Sequence, residues 1–133
     1  MIVVDAMVIV ASILTGDATS SATAWRVRDP HWIAPPLWRS EVRNVLVRLS
    51  RSQGVAMDRA VEAMTFAERS MVNGTFDVAS DHVLCLAIAS GCTAYDCEYV
   101  ALAEARRVKL LTADRQVLAA FPGIAVPFGD IVA

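Results

Sequence analysis

Two short apolar runs at opposite ends of this chain finish in the same way, and that repetition restricts the fold more than any other feature. Residues 2–4 (IVV) meet Asp5 and then AMVIVASIL, while residues 108–112 (VKLLT) are followed by Asp114 opening a short helix through residue 120. Compact β-branched and aliphatic runs suit strands buried on both faces, and the nine residues after Asp5 are long enough for a helix. Repeated strand-then-helix order predicts an α/β fold with a central, mainly parallel sheet of four or five strands and helices on both faces. Ligands of such sheets bind beyond the carboxyl ends of the strands, where both aspartates must emerge. The plain role for either is to cap the helix that follows.

Between these ends the pattern continues. Residues 17–28 read as a helix anchored by Trp25, residues 31–34 as a strand ended by Pro35 and Pro36, and residues 37–51 as the most periodic helix of the chain. Gln53 and Gly54 close it. Asp58 is a candidate cap for a helix to about residue 72, in which Met57, Met64 and Met71 repeat every seventh position and suit packing in the core, with a partner interface as the second reading. Residues 75–78 are a brief strand candidate. Ser80 is a candidate cap for a helix over 81–90 that is apolar on nearly every side, and Gly91 ends it. Thr93 then caps a helix to residue 105, and residues 124–128 form a weak last strand. No repeat, linker or low-complexity tract divides residues 1–133, so one domain is expected.

Two further acids stand in unusual places. Glu41 has Leu37, Trp38 and Val45 as its helical neighbours and so belongs to the face that should be buried, where an isolated carboxylate is costly unless paired, protonated or bound to metal. Asp96 lies in the first turn of its helix, where a capping box with Thr93 is the bland explanation. With Asp5 and Asp114 they make four carboxylates able to reach one sheet edge, and a divalent cation is the simplest compensation for their repulsion. An all-oxygen set without histidine or thiolate suits magnesium, or manganese in its place. Such an ion activates water towards a phosphodiester and neutralises charge on the phosphate.

Other classes fit poorly. His31 and His82 are the only histidines, neither beside a candidate nucleophile, and no glycine-rich phosphate loop is present. The three cysteines contain no CxxC pair, which speaks against a zinc site or disulfide framework and for a reducing cytoplasm. The longest uncharged runs fall short of the ~18 residues a membrane span needs. A net charge of -2 offers no global basic footprint, so any nucleic-acid contact must be local, and Arg39, Arg43 and Arg115 are the candidate phosphate-gripping residues.

VVDA at 3–6, SEV at 40–42, TAYDCEYVALA at 93–103 and LLTADRQVL at 110–118 closely resemble PIN-domain ribonucleases, in particular the VapC toxins of bacterial toxin–antitoxin pairs. The resemblance spans essentially the whole chain. It puts the family's metal-binding acids on Asp5 and Asp96, its additional acids on Glu41 and Asp114, and its small hydroxyl on Thr112. It implies a magnesium-dependent endoribonuclease acting on RNA, a homodimer, and a small cognate antitoxin that covers the acidic pocket. In this reading Asp5, Asp96 and Asp114 hold metal, and Glu41 binds metal or orients the attacking water. One departure is Met7, where the family usually has a small polar residue, and its loss is expected to loosen the support of Asp5. The alternative is a catalytically silent PIN-like module that binds an arginine-bearing partner. A phosphoacceptor receiver-like domain is disfavoured, because Asp5 has no adjacent second acid and Lys109 begins its strand.

Overall fold

A computed structural model describes residues 1–14, 16 and 18–130. Its strands are β1 (Ile2–Val4), β2 (Trp32–Ile33), β3 (Leu110–Thr112) and β4 (Ala125–Pro127). Its helices are α1 (Ala6–Ile13), α2 (Thr19–Arg28), α3 (Trp38–Gln53), α4 (Met57–Ser70), α5 (Ser80–Ser90), α6 (Ala94–Arg106) and α7 (Arg115–Ala120). The strands form one wholly parallel sheet in the order β2-β1-β3-β4, with helices on both faces. From β1 the chain moves outward to β2, then returns across β1 to β3 and continues outward the other way to β4. The strand order therefore reverses between β1 and β3, and such a switch point opens a crevice at the carboxyl ends of those two strands.

The strands lie in the core because their side chains are apolar on both faces: Val3, Val4 and Leu111 are fully buried. Trp38 on α3 is also enclosed, and its indole N–H donates to the Thr75 hydroxyl at 2.9 Å, satisfying a polar atom that burial would otherwise penalise. Met64 and Met71 belong to this core, whereas Met57 is 80% exposed, so the heptad spacing is core packing for two of its three members.

Several expectations need correction. Residues 75–78 form no strand, only a single parallel bridge from Ala34 to Thr75. Gly74 explains the tight approach there, since a Cβ on it would stand 2.3 Å from the Trp32 carbonyl oxygen. Ala56 and Ala79, not Asp58 and Ser80, occupy the N-cap positions of α4 and α5. Asp58 instead accepts from the adjacent Arg59 amide at 2.9 Å. The start predicted at Asp17 lies outside the described residues. The largest surprise is α5: its all-round apolar pattern predicts burial, yet Val83 alone is buried, and Leu84 and Ile88 are 55% and 82% exposed. No single helix among the described residues is long and apolar enough to cross a membrane.

Candidate active site

The crevice at the switch point is a pocket of about 280 Å³ whose wall includes Asp5, Glu41, Asp96, Thr112 and Asp114. Each acid arrives by a different element. Asp5 follows β1 and caps α1, its Oδ1 accepting from the Val8 amide at 3.0 Å. Asp114 lies just beyond β3 and caps α7, its Oδ1 accepting from Val117 N–H at 3.0 Å. Asp96 sits in the first turn of α6, behind a Thr93 cap whose hydroxyl accepts from its amide at 3.0 Å. Glu41 comes from the first turn of α3. The bland capping roles are therefore real, but they do not disperse the acids. The caps hold the carboxylate-bearing residues at one rim.

Two side chains organise the set. The Thr112 hydroxyl, 1% exposed, donates to Asp5 Oδ2 at 2.5 Å and accepts from the Asp114 amide at 3.0 Å. One hydroxyl thus connects the end of β1 to the turn after β3. The buried Tyr99 hydroxyl donates to Glu41 Oε1 at 2.6 Å. Glu41 has no arginine partner: among the described residues the ion pairs are the N-terminal amine with Asp29 and His82 with Glu104. The sequence pattern does not single out Tyr99, although its position three after Asp96 puts it on the same side of α6.

The electrostatics follow from this crowding. Burial pushes the Asp5 carboxyl above its usual range, the Thr112 and Val8 hydrogen bonds oppose the rise, and the charges of Glu41 and Asp114 add to it. Glu41 is raised by burial, eased by Tyr99, and raised further by Asp96 and Glu98. Burial also raises Asp96, with Thr93 opposing and Asp114 adding. Tyr99 is pushed far upward by burial and by its bond to Glu41, so it stays a donor.

Among the described residues no lysine or arginine lines this pocket. Arg39 packs over the Trp38 ring, Arg43 lines a separate groove with Met57 and Val61, and Arg115 is exposed at the start of α7. Helical geometry accounts for Arg43: two residues from Glu41 it faces roughly 200° away, whereas Arg48, seven residues on, returns to the Glu41 side. Among the described residues no group of three or more His, Cys, Asp or Glu side chains is arranged to hold a metal ion directly. The donor chemistry nevertheless fits a hard cation. Magnesium keeps several of its waters and needs only one or two carboxylates, so it does not demand a closed cage of protein ligands.

Met7 is half exposed and lines the acidic pocket without bonding to Asp5, a task that Thr112 and the Val8 amide perform.

Comparison with known proteins adds three findings. The family model described as PIN domain matches residues 2–123. Ribonuclease VapC3 of Pyrobaculum aerophilum is 35% identical over 95 residues, covering 71% of this chain and 68% of that protein. The crystal structure of PAE2754 from Pyrobaculum aerophilum superposes with a TM-score of 0.75 over 96% of this chain and 83% of that one; at 24% identity the likeness is one of fold.

Proposed function

Since this chain belongs to the PIN domain family, we propose that it is a magnesium-dependent endoribonuclease of the VapC toxin kind, working in the cytoplasm. The observation that carries the reading is the meeting of Asp5, Glu41, Asp96 and Asp114 in one crevice at the β1/β3 switch point with no cationic side chain on its wall among the described residues. The similarity to Ribonuclease VapC3 supports RNA as the substrate.

In this reading Asp5, Asp96 and Asp114 hold magnesium, with manganese as a substitute. The bound ion supplies neutralisation of the phosphate and activation of water. The chain's own residues supply order. Thr112 fixes Asp5 through Oδ2, and the helix caps fix Asp5 and Asp114 through their Oδ1 atoms. Tyr99 occupies Glu41 Oε1, which leaves Oε2 to bind metal or to orient the water and take its proton.

Two partners belong to the same proposal. A small cognate antitoxin covers the acidic pocket, where the absence of a resident cation suits an inserted arginine. A second copy of the chain forms a homodimer, a reading supported by the exposed Leu84 and Ile88 on α5.

The second reading is the silent module that binds an arginine-bearing peptide, and it is favoured by the lack of a preassembled ligand set among the described residues. One experiment separates them. Purified wild type and Asp96→Asn are incubated with structured RNAs with and without magnesium. Cleavage by wild type alone, and only with magnesium, is expected; no cleavage by either protein supports the silent module.

A further inference from the structure

Beside the acidic pocket lies another of about 340 Å³, and the two share Ala6, Met7 and Glu41 as a common wall. Its chemistry differs from that of its neighbour. Ser40 or Glu41, then Asn44 and Arg48, follow at three- or four-residue spacing along α3 and line it from one side, while α6 contributes Tyr95, immediately before Asp96 in sequence. Tyr95 is 63% exposed, so its ring is open to a contact from outside the chain. Its hydroxyl takes part in no hydrogen bond among the described residues, unlike the buried Tyr99 one turn later. Among the described residues Arg48 is the only cationic side chain on the wall of either pocket, and it takes part in no ion pair.

An acidic pocket repels a polyanion, so a strand that reaches it must be gripped nearby. Stacking on an exposed aromatic ring with a cation at phosphate height is the usual physical means of holding unpaired nucleotides. Arg48 stands two helical turns, roughly 10 Å, beyond Glu41 on the same side of α3, close enough to serve the next part of one strand. We propose that this second pocket is a subsite for an unpaired nucleotide flanking the scissile bond: Tyr95 stacks on its base, and Arg48, with Asn44 and Ser40, holds the adjoining phosphate and sugar. The strand then passes over Glu41 into the acidic pocket. This assignment rests on the nuclease reading and names the residues of this chain that hold the strand beside the cut.

The test uses two readouts. Titration of the full-length protein with a short labelled single-stranded RNA, followed by fluorescence anisotropy in magnesium, reports binding whether or not anything is cut. Tyr95→Ala is expected to raise Kd about tenfold, in line with the usual worth of one stacked base, and Tyr95→Phe to stay near wild type because the ring suffices. Arg48→Ala is expected to weaken binding and to make it less salt-sensitive. In cleavage assays the same variants are expected to raise KM while leaving kcat nearly unchanged. Unchanged Kd and KM for Tyr95→Ala overturn the subsite, as does a change in oligomeric mass for that variant with RNA binding intact, which would assign the surface to protein contact. A tenfold Kd difference in a protein that cuts no RNA would retain the subsite and sink the nuclease reading instead.

Discussion

The acidic pocket and the outer face of α5 depart from ordinary partitioning in opposite senses. In the pocket, Asp5, Glu41 and Asp96 are only partly exposed and burial raises all three carboxyls. On α5, Leu84 and Ile88 stand in solvent although nothing polar is asked of them. The acids are held where they are by hydrogen bonds they cannot easily leave: two helix caps, the Thr112 hydroxyl and the Tyr99 hydroxyl. The α5 face has no such restraint, and its cost disappears whenever another apolar surface covers it. A fixed cost of charge points to a ligand that must fit a given geometry. An unfixed cost of apolar surface points to a partner.

The sharpest way to test this contrast is to neutralise one acid and charge the helix. Asp5→Asn keeps a capping side chain yet is expected to lower magnesium-dependent RNA cleavage on the order of a hundredfold or more, without lowering the melting temperature measured in EDTA at neutral pH. A large loss of stability would mean that the carboxylate is there for the fold. Next in size is Leu84→Lys combined with Ile88→Glu, expected to halve the mass seen by sedimentation while the folding stability of the single chain moves by no more than about 0.5 kcal/mol. An unchanged mass removes α5 from the dimer proposal.

Tyr99→Phe removes only the oxygen that anchors Glu41. It is expected to lower kcat roughly tenfold with little change in KM, and to cost about 1–3 kcal/mol in denaturant unfolding. Equal kcat values for the two proteins would reduce Tyr99 to packing.

The pH response has a definite sign. Asp5, Glu41 and Asp96 have folded pKa values above the ordinary carboxylate values, so between the ordinary and the folded values the native state binds more protons than the unfolded one. Their contribution to stability is therefore full at lower pH and is lost as pH rises through the folded values. Thermal melts in EDTA should show this decline for wild type and a shallower one for Asp5→Asn, and magnesium should restore stability most above the window. Identical pH slopes in the two proteins would contradict it. The smallest effect is expected for Met7→Ser: a few-fold lower magnesium requirement at most, read from metal titration of activity, because Thr112 already supports Asp5.

The strand ends were legible because the pattern changes abruptly there: apolar runs stop at an acid and helical spacing starts, as at Asp5 and Asp114. Glu41 was legible as a charge on an apolar face. What local spacing does not contain is anything set by the crossing of distant elements. The Tyr99–Glu41 bond joins positions 58 apart and exists only because α6 and α3 meet at the crevice. The exposure of α5 is of the same kind, since an apolar helix reads alike whether its cover comes from its own chain or not. Asp58 and Ser80 illustrate a third reason: several polar residues near a helix start qualify as caps, and backbone angles decide among them.

The capping role of the acids has a consequence for descendants of this sequence. Asp5 and Asp114 begin two helices as well as facing the crevice, so a lineage with no chemistry in the crevice would retain a mechanical reason to keep both. Survival of these two aspartates would then be poor testimony of a working enzyme. The more revealing positions are Glu41 and Tyr99, which begin no helix by their side chains and whose pairing fixes a carboxylate at the crevice.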